Sequence, residues 1–87
     1  MKDANLHTYI TKQQIRGARA LLGWSRDQLA SKAGVSVRTL ASIEGSDATH
    51  RKDTIQAISK ALVKAGVVFI EANGGGYGIR MKTGPRP

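Results

Sequence analysis

Eighty-seven residues make one small domain with a single modest core. The absence of cysteine excludes a disulfide framework and a thiolate metal site; with no run near the roughly 20 apolar residues of a membrane span and no signal-like start, a soluble cytoplasmic protein is expected. Fourteen Lys and Arg against six Asp and Glu leave a formal charge of +8, which makes polyanions the natural partners.

Residues 1–10, MKDANLHTYI, lack helical periodicity and are expected to form a flexible N-terminal arm. From Thr11 to Leu22, Ile15, Ala18, Arg19 and Leu22 recur at the spacing of one helix face, and Gly23 stands where a helix would stop. Ser25 is placed to cap a second helix, with Asp27 in its first turn and Leu29, Ala30 and Ala33 as its apolar stripe, ending at Gly34. Ser36 caps a third, VRTLASIE, whose Leu40 and Ile43 lie three apart on the buried side. A fourth runs from about Lys52 or Asp53 to Ala65, with Ile55, Ile58 and Leu62 on one face and Lys60 and Lys64 on the other, and Gly66 closes it. The expected core is Ile15, Leu22, Leu29, Ala30, Val35, Leu40, Ile43, Ile55, Ile58 and Leu62, with Trp24 a core or rim residue covering the end of the first helix.

The next stretch, VVFIEANGGGYGIRMK, has β-branched and aromatic residues on both sides of a glycine run and predicts a β-hairpin with arms Val67–Ala72 and Tyr77–Lys82. An even-numbered turn would set Val68 and Ile70 on one face with Tyr77, Ile79 and Met81, and Val67 and Phe69 on the other with Arg80 and Lys82. Because a lone ribbon beside four helices can cover only one of two apolar faces, Val68, Phe69, Ile70, Tyr77, Ile79 and Met81 are expected to serve dimerisation. Removing residues 67–87 should then leave a monomeric helical fragment. Residues 83–87, TGPRP, read as a basic tail.

The fold class is therefore mainly α: a four-helix domain over residues 11–66, followed by a C-terminal β-hairpin over 67–82. Between the second and third helices only about three residues intervene, and Gly34 can adopt the positive φ of an abrupt turn. Helices that cross at about 90 to 120° need a small side chain where they meet, and Ala30 supplies it. The pair reads as a helix-turn-helix whose second helix projects toward a DNA major groove.

Residues 12–66, through IRGARALLG and WSRDQLASKAGVSVRTLASIEG, resemble the XRE-type or lambdoid-phage-repressor-like helix-turn-helix regulators. The resemblance includes an arginine six residues before the Ser that starts the second helix, Arg19, and a glutamate ending the third, Glu44; it implies a largely buried ion pair between them. The residues themselves point the same way. Arg19 lies on the apolar side of the first helix, where an unpaired guanidinium would be costly, and Glu44 adjoins the buried stripe of the third. The family often has a fifth helix where this chain carries the hairpin, and that helix often supplies the dimer interface.

If Leu40 and Ile43 face the core, Val37, Arg38, Ala41 and Ser42 lie on or near the outer side. The resemblance assigns base contacts to Val37, Arg38 and Ser42. Chemically, Arg38 can fork onto guanine O6 and N7, Val37 can pack on a thymine methyl, and Ser42 can donate or accept. Arg26, Ser36 and Thr39 flank that helix and are candidates for phosphate contacts. His50, Arg51 and Lys52 follow, approaching the fourth helix at a place where family members commonly grip the backbone.

Other chemistry is set aside. NGGGYG lacks the Lys followed by Ser or Thr of a phosphate loop and opens no helix, His7 and His50 are far apart, and no carboxylate pair or cysteine nucleophile is evident. No enzyme, metal or cofactor is expected. The reading is a sequence-specific regulator of double-stranded DNA, a repressor acting as a homodimer on a palindromic operator in the bacterial cytoplasm, associated with the nucleoid. The alternatives are the antitoxin of a toxin-antitoxin pair, with a toxin as protein partner, and a protein-interaction or coactivator-bridging module on the same fold.

Overall fold

The computed structural model describes residues 10–46, 50–71 and 75–82. All of the expected arm but Ile10, the tail over 83–87, and Ala72 to Gly74 of the hairpin lie outside the described residues. The elements are α1 (Lys12–Leu22), α2 (Arg26–Ala33), α3 (Val37–Gly45), α4 (Lys52–Lys64), β1 (Val67–Ile70) and β2 (Gly78–Met81), the two strands pairing antiparallel. No helix among the described residues is long and apolar enough to cross a membrane.

Each of the first three helices starts on a hydroxyl cap, because Thr11, Ser25 and Ser36 accept the third amide of their helix. Gln14 and Gln28 return the favour to the amides of Thr11 and Ser25, completing two capping boxes. α1 and α2 end alike. Gly23 and Gly34 sit at φ 70° and 72°, and the amides one residue beyond, Trp24 and Val35, reach back to the carbonyls of Arg19 and Ala30 at 2.9 and 3.0 Å. Trp24 and Val35 then fold onto the core, so each glycine turns the chain and each following residue anchors the turn. Lys32 sets its ammonium 5.7 Å from the centre of the Trp24 ring.

The core is Ile15, Ala18, Leu29, Ala30, Leu40, Ile43, Ile58, Leu62, Val67 and Phe69. Leu22, Val35 and Ile55, expected inside, are only partly buried and pack around it. Ala18, Val67 and Phe69 are the additions, and the two strand residues show that the hairpin is part of the core. β1 lies on α4 and β2 on α1. A fragment ending at Gly66 would expose the surfaces these strands cover.

The register also corrects the expected faces. Val67 pairs with Met81, Val68 with Arg80, Phe69 with Ile79 and Ile70 with Gly78. The paired ends Ile70 and Gly78 leave an odd-numbered connection, and a change of one residue in register exchanges the faces. Val67, Phe69, Ile79 and Met81 therefore share the face toward the helices, while Val68, Ile70 and Arg80 share the other. Of the residues expected at a dimer interface, Phe69 is buried in its own protomer and Ile79 and Met81 pack against that core.

Candidate nucleic-acid interface

α3 is oriented by what it buries. Leu40, Ile43 and Glu44 face inward, which turns Val37, Arg38 and Ser42 outward as exposed residues, with Ala41 half-buried beside them. Val37 keeps 42% of its surface open, a large exposure for an apolar side chain in the first turn of a helix. The three residues expected to meet bases thus share one solvent-facing surface, led by a cation and a branched methyl group.

Around them the hydroxyls and cations are not equivalent. Ser36 Oγ takes the amide of Thr39 at 3.0 Å and donates its own proton to Thr39 Oγ1 at 2.8 Å. That leaves the Thr39 hydroxyl as the one with a proton to offer a phosphate. Arg51 forms an exposed fork to Asp53 at 3.2 and 3.0 Å, an ion pair weak enough in water to be exchanged for a phosphate. Lys52 is exposed at the start of α4. His50 differs: its Nε2 is buried and has no hydrogen-bond partner among the described residues.

The ion pair is built beneath this surface. Glu44 is fully buried and accepts a fork from Arg19, Nε to Oε2 at 2.9 Å and Nη2 to Oε1 at 3.0 Å. Arg19 spends its remaining terminal nitrogen on the carbonyl of Trp24 at 3.1 Å, which ties the end of α1 into the same network. Arg26 adds a contact that sequence reasoning missed. Its Nε donates to Glu44 Oε1 at 3.0 Å, although the side chain remains 45% exposed. Arg16 reaches the backbone carbonyl of Glu44 at 3.4 Å. Burial by itself raises the pKa of Glu44, but hydrogen bonds from Arg19 and Arg26, together with their charges, outweigh it and hold the carboxyl below its ordinary 4.5.

One carboxylate therefore carries two guanidinium groups, one inside the domain and one at its rim. Arg26 stands at the first position of α2, where the exposed amides and the helix dipole favour anions, and its two terminal nitrogens have no partner among the described residues. Glu44 fixes one end of that guanidinium and leaves the other facing solvent.

Gln14 was also missed. Its amide oxygen takes the Thr11 amide at 2.9 Å while its nitrogen donates to the carbonyls of Gly78 at 2.9 Å and Ile70 at 3.4 Å. The Thr11-x-x-Gln14 spacing signals the cap, but no local pattern signals the ribbon.

Among models of known protein families, the one described as helix-turn-helix matches residues 15–62, from α1 to near the end of α4. No curated protein matches the chain.

Proposed function

The chain belongs to the XRE-type helix-turn-helix family of DNA-binding transcription regulators, and from that premise we propose a repressor that binds a palindromic operator as a homodimer. α3 enters the major groove. Arg38 reads guanine, Val37 packs on a thymine methyl, and Ser42 adapts to the base it meets. Arg26, Thr39, Arg51 and Lys52 hold phosphates, with Ser36 and His50 in supporting positions.

The observation that carries this reading is the outward face of α3: an exposed valine and arginine in its first turn, on a helix whose other face is fixed by Leu40 and Ile43. The +8 charge adds the sequence-independent attraction that brings such a face to DNA. Two copies on a two-fold operator present two such helices about one DNA turn, roughly 34 Å, apart. Bound to the nucleoid of a bacterial cytoplasm, the dimer represses by occupying a promoter.

Selection of bound sites from random duplex DNA tests the reading. An enriched palindrome with half-sites about ten base pairs apart is the expected result. A folded protein that enriches no sequence would overturn it in favour of a bridging module, and a protein partner needed for binding would point to an antitoxin.

A further inference from the structure

The ribbon has an open edge. Lys82 donates its amide to Gly66 at 2.6 Å, continuing the pairing by one step beyond Val67 and Met81. Hydrogen-bonded pairs alternate along an antiparallel ladder, so Val68 with Arg80 and Ile70 with Gly78 exchange bonds across the ribbon. Ile79 and Met81 therefore point their backbone groups the other way, off the free side of β2. Their amides have no partner among the described residues.

Exposed apolar groups converge on the same part of the molecule. Among the described residues the large hydrophobic side chains left exposed are Leu21, Val37, Ile70 and Tyr77, and Val37 belongs to α3. Tyr77, 52% exposed, immediately precedes β2, and Ile70 lies on the outer face of the ribbon. Leu21 joins them through α1. Gln14, Gly17 and Leu21 fall three and four apart on one helix face. Gln14 bonds Gly78, and a Cβ on Gly17 would lie 2.9 Å from Ile79 Cδ1. Leu21, 49% exposed, lies one turn farther on that face of α1.

We propose that this edge is the dimer interface, at which β2 of one protomer pairs antiparallel with β2 of a second copy, centred on Ile79 against its own counterpart. This rests on the homodimer reading above and specifies its surface. The occupant follows from charge and register. Two copies at +8 each must meet without opposing cations. A two-fold centred on Arg80 would set that arginine directly against itself, which is unfavourable. Centring on Ile79 sets Arg80 opposite the second copy's Gly78, which has no side chain, and Tyr77 opposite the second copy's Met81, a sulfur-aromatic pairing.

The same register lets Ile79 exchange both backbone bonds with its counterpart and forms one four-stranded sheet in the order β1-β2-β2-β1. A two-stranded ribbon of four-residue strands is marginal by itself, and the longer sheet removes both the short ribbon and its open edge. Each protomer measures 32 × 31 × 25 Å, so edge-to-edge copies have their centres about one protomer width apart, on the scale of the roughly 34 Å DNA turn.

Cysteine cross-linking of the full chain tests the register, because the natural chain has no cysteine. In the proposed pairing, residue 78 of one copy and residue 80 of the other form a non-hydrogen-bonded pair, whose Cα separation of about 4.5 Å suits a disulfide. Neither site is demanding: Arg80 is exposed, and a Cβ on Gly78 would meet only Ile70 Cδ1 at 3.9 Å. Gly78→Cys and Arg80→Cys chains, mixed under mild oxidation, should form a covalent dimer at least about tenfold faster than either chain alone. Faster self-linking of Arg80→Cys would overturn the register. No linking in the mixture, while the unmodified chain sediments as a dimer, would overturn the edge and leave the homodimer standing. A monomer in sedimentation that also binds palindromic DNA as a single copy would overturn both.

Discussion

The side-chain amide of Gln14 donates to the carbonyl of Gly78 across 64 positions of sequence, at 2.9 Å, while its oxygen caps the helix it sits on. A single buried side chain thus ties the start of α1 to the end of the ribbon, so the cap and the hairpin stand or fall together.

Gln14→Leu keeps the bulk of that side chain and removes its polar atoms. It should destabilise the domain by about 1 to 3 kcal/mol, since the ribbon carbonyls lose a donor and the Thr11 amide an acceptor. Urea melts give the total. Faster hydrogen exchange confined to β1, β2 and the first turn of α1 would identify the mechanism, and an unchanged melting midpoint would contradict it.

Glu44→Ala should cost about 3 to 5 kcal/mol, because it strands the partly buried Arg19 without a counter-charge. Removing Arg19 as well should recover part of that loss. A denaturant double-mutant cycle measures the coupling, and strictly additive losses would mean that the fork contributes nothing as a pair.

Acid should unfold the protein through the same carboxylate. The folded domain holds Glu44 below the 4.5 it has when free, so its ionised form contributes stability that is complete above that pH and is lost as pH falls through the lower folded value. Melting temperatures should therefore decline below about pH 4.5. For Glu44→Gln the decline should be shallower, and the gap between the two proteins should narrow toward acid. Parallel curves would assign the acid sensitivity to other groups.

On DNA, Arg38→Ala and Arg26→Ala should fail differently. Losing Arg38 should cost about 1 to 3 kcal/mol on the selected site and relax preference at one base pair per half-site. Losing Arg26 should weaken binding to all sequences and lower the salt slope by about one per protomer. Equal losses for Arg38→Ala on specific and random DNA would make it another phosphate contact.

Deleting residues 67–87 should leave a chain that no longer melts cooperatively. It takes Val67 and Phe69 out of the core and uncovers the sides of α4 and α1 on which the strands lie. Circular dichroism would detect this directly, and a sharp transition with native helix content would establish the four helices as self-sufficient.

The sequence by itself determined the helices, their order and their turns, because the signals are local. Hydroxyl caps at Ser25 and Ser36, glycines at 23 and 34, and apolar residues three and four apart act within a few residues of one another. The outward face of α3 follows from the same periodicity, since burying Leu40 and Ile43 leaves only one side for Val37, Arg38 and Ser42. Even the Arg19 and Glu44 pair was legible, from a charge on an apolar face and a carboxylate beside another.

What the tertiary structure decided depends on distance in space. The parity of the hairpin rests on how many residues the glycine-rich connection spends, and one residue put Ile79 and Met81, in place of Arg80 and Lys82, on the face of Val67 and Phe69. Arg26 joins Glu44, and Gln14 joins Gly78, only after the helices cross, because polar side chains in a first helical turn carry no local mark of a remote partner. The core needed the ribbon for a similar reason: α1 and α4 each leave a surface that the other helices do not cover, and β2 closes over the first while β1, with Val67 and Phe69, closes over the second.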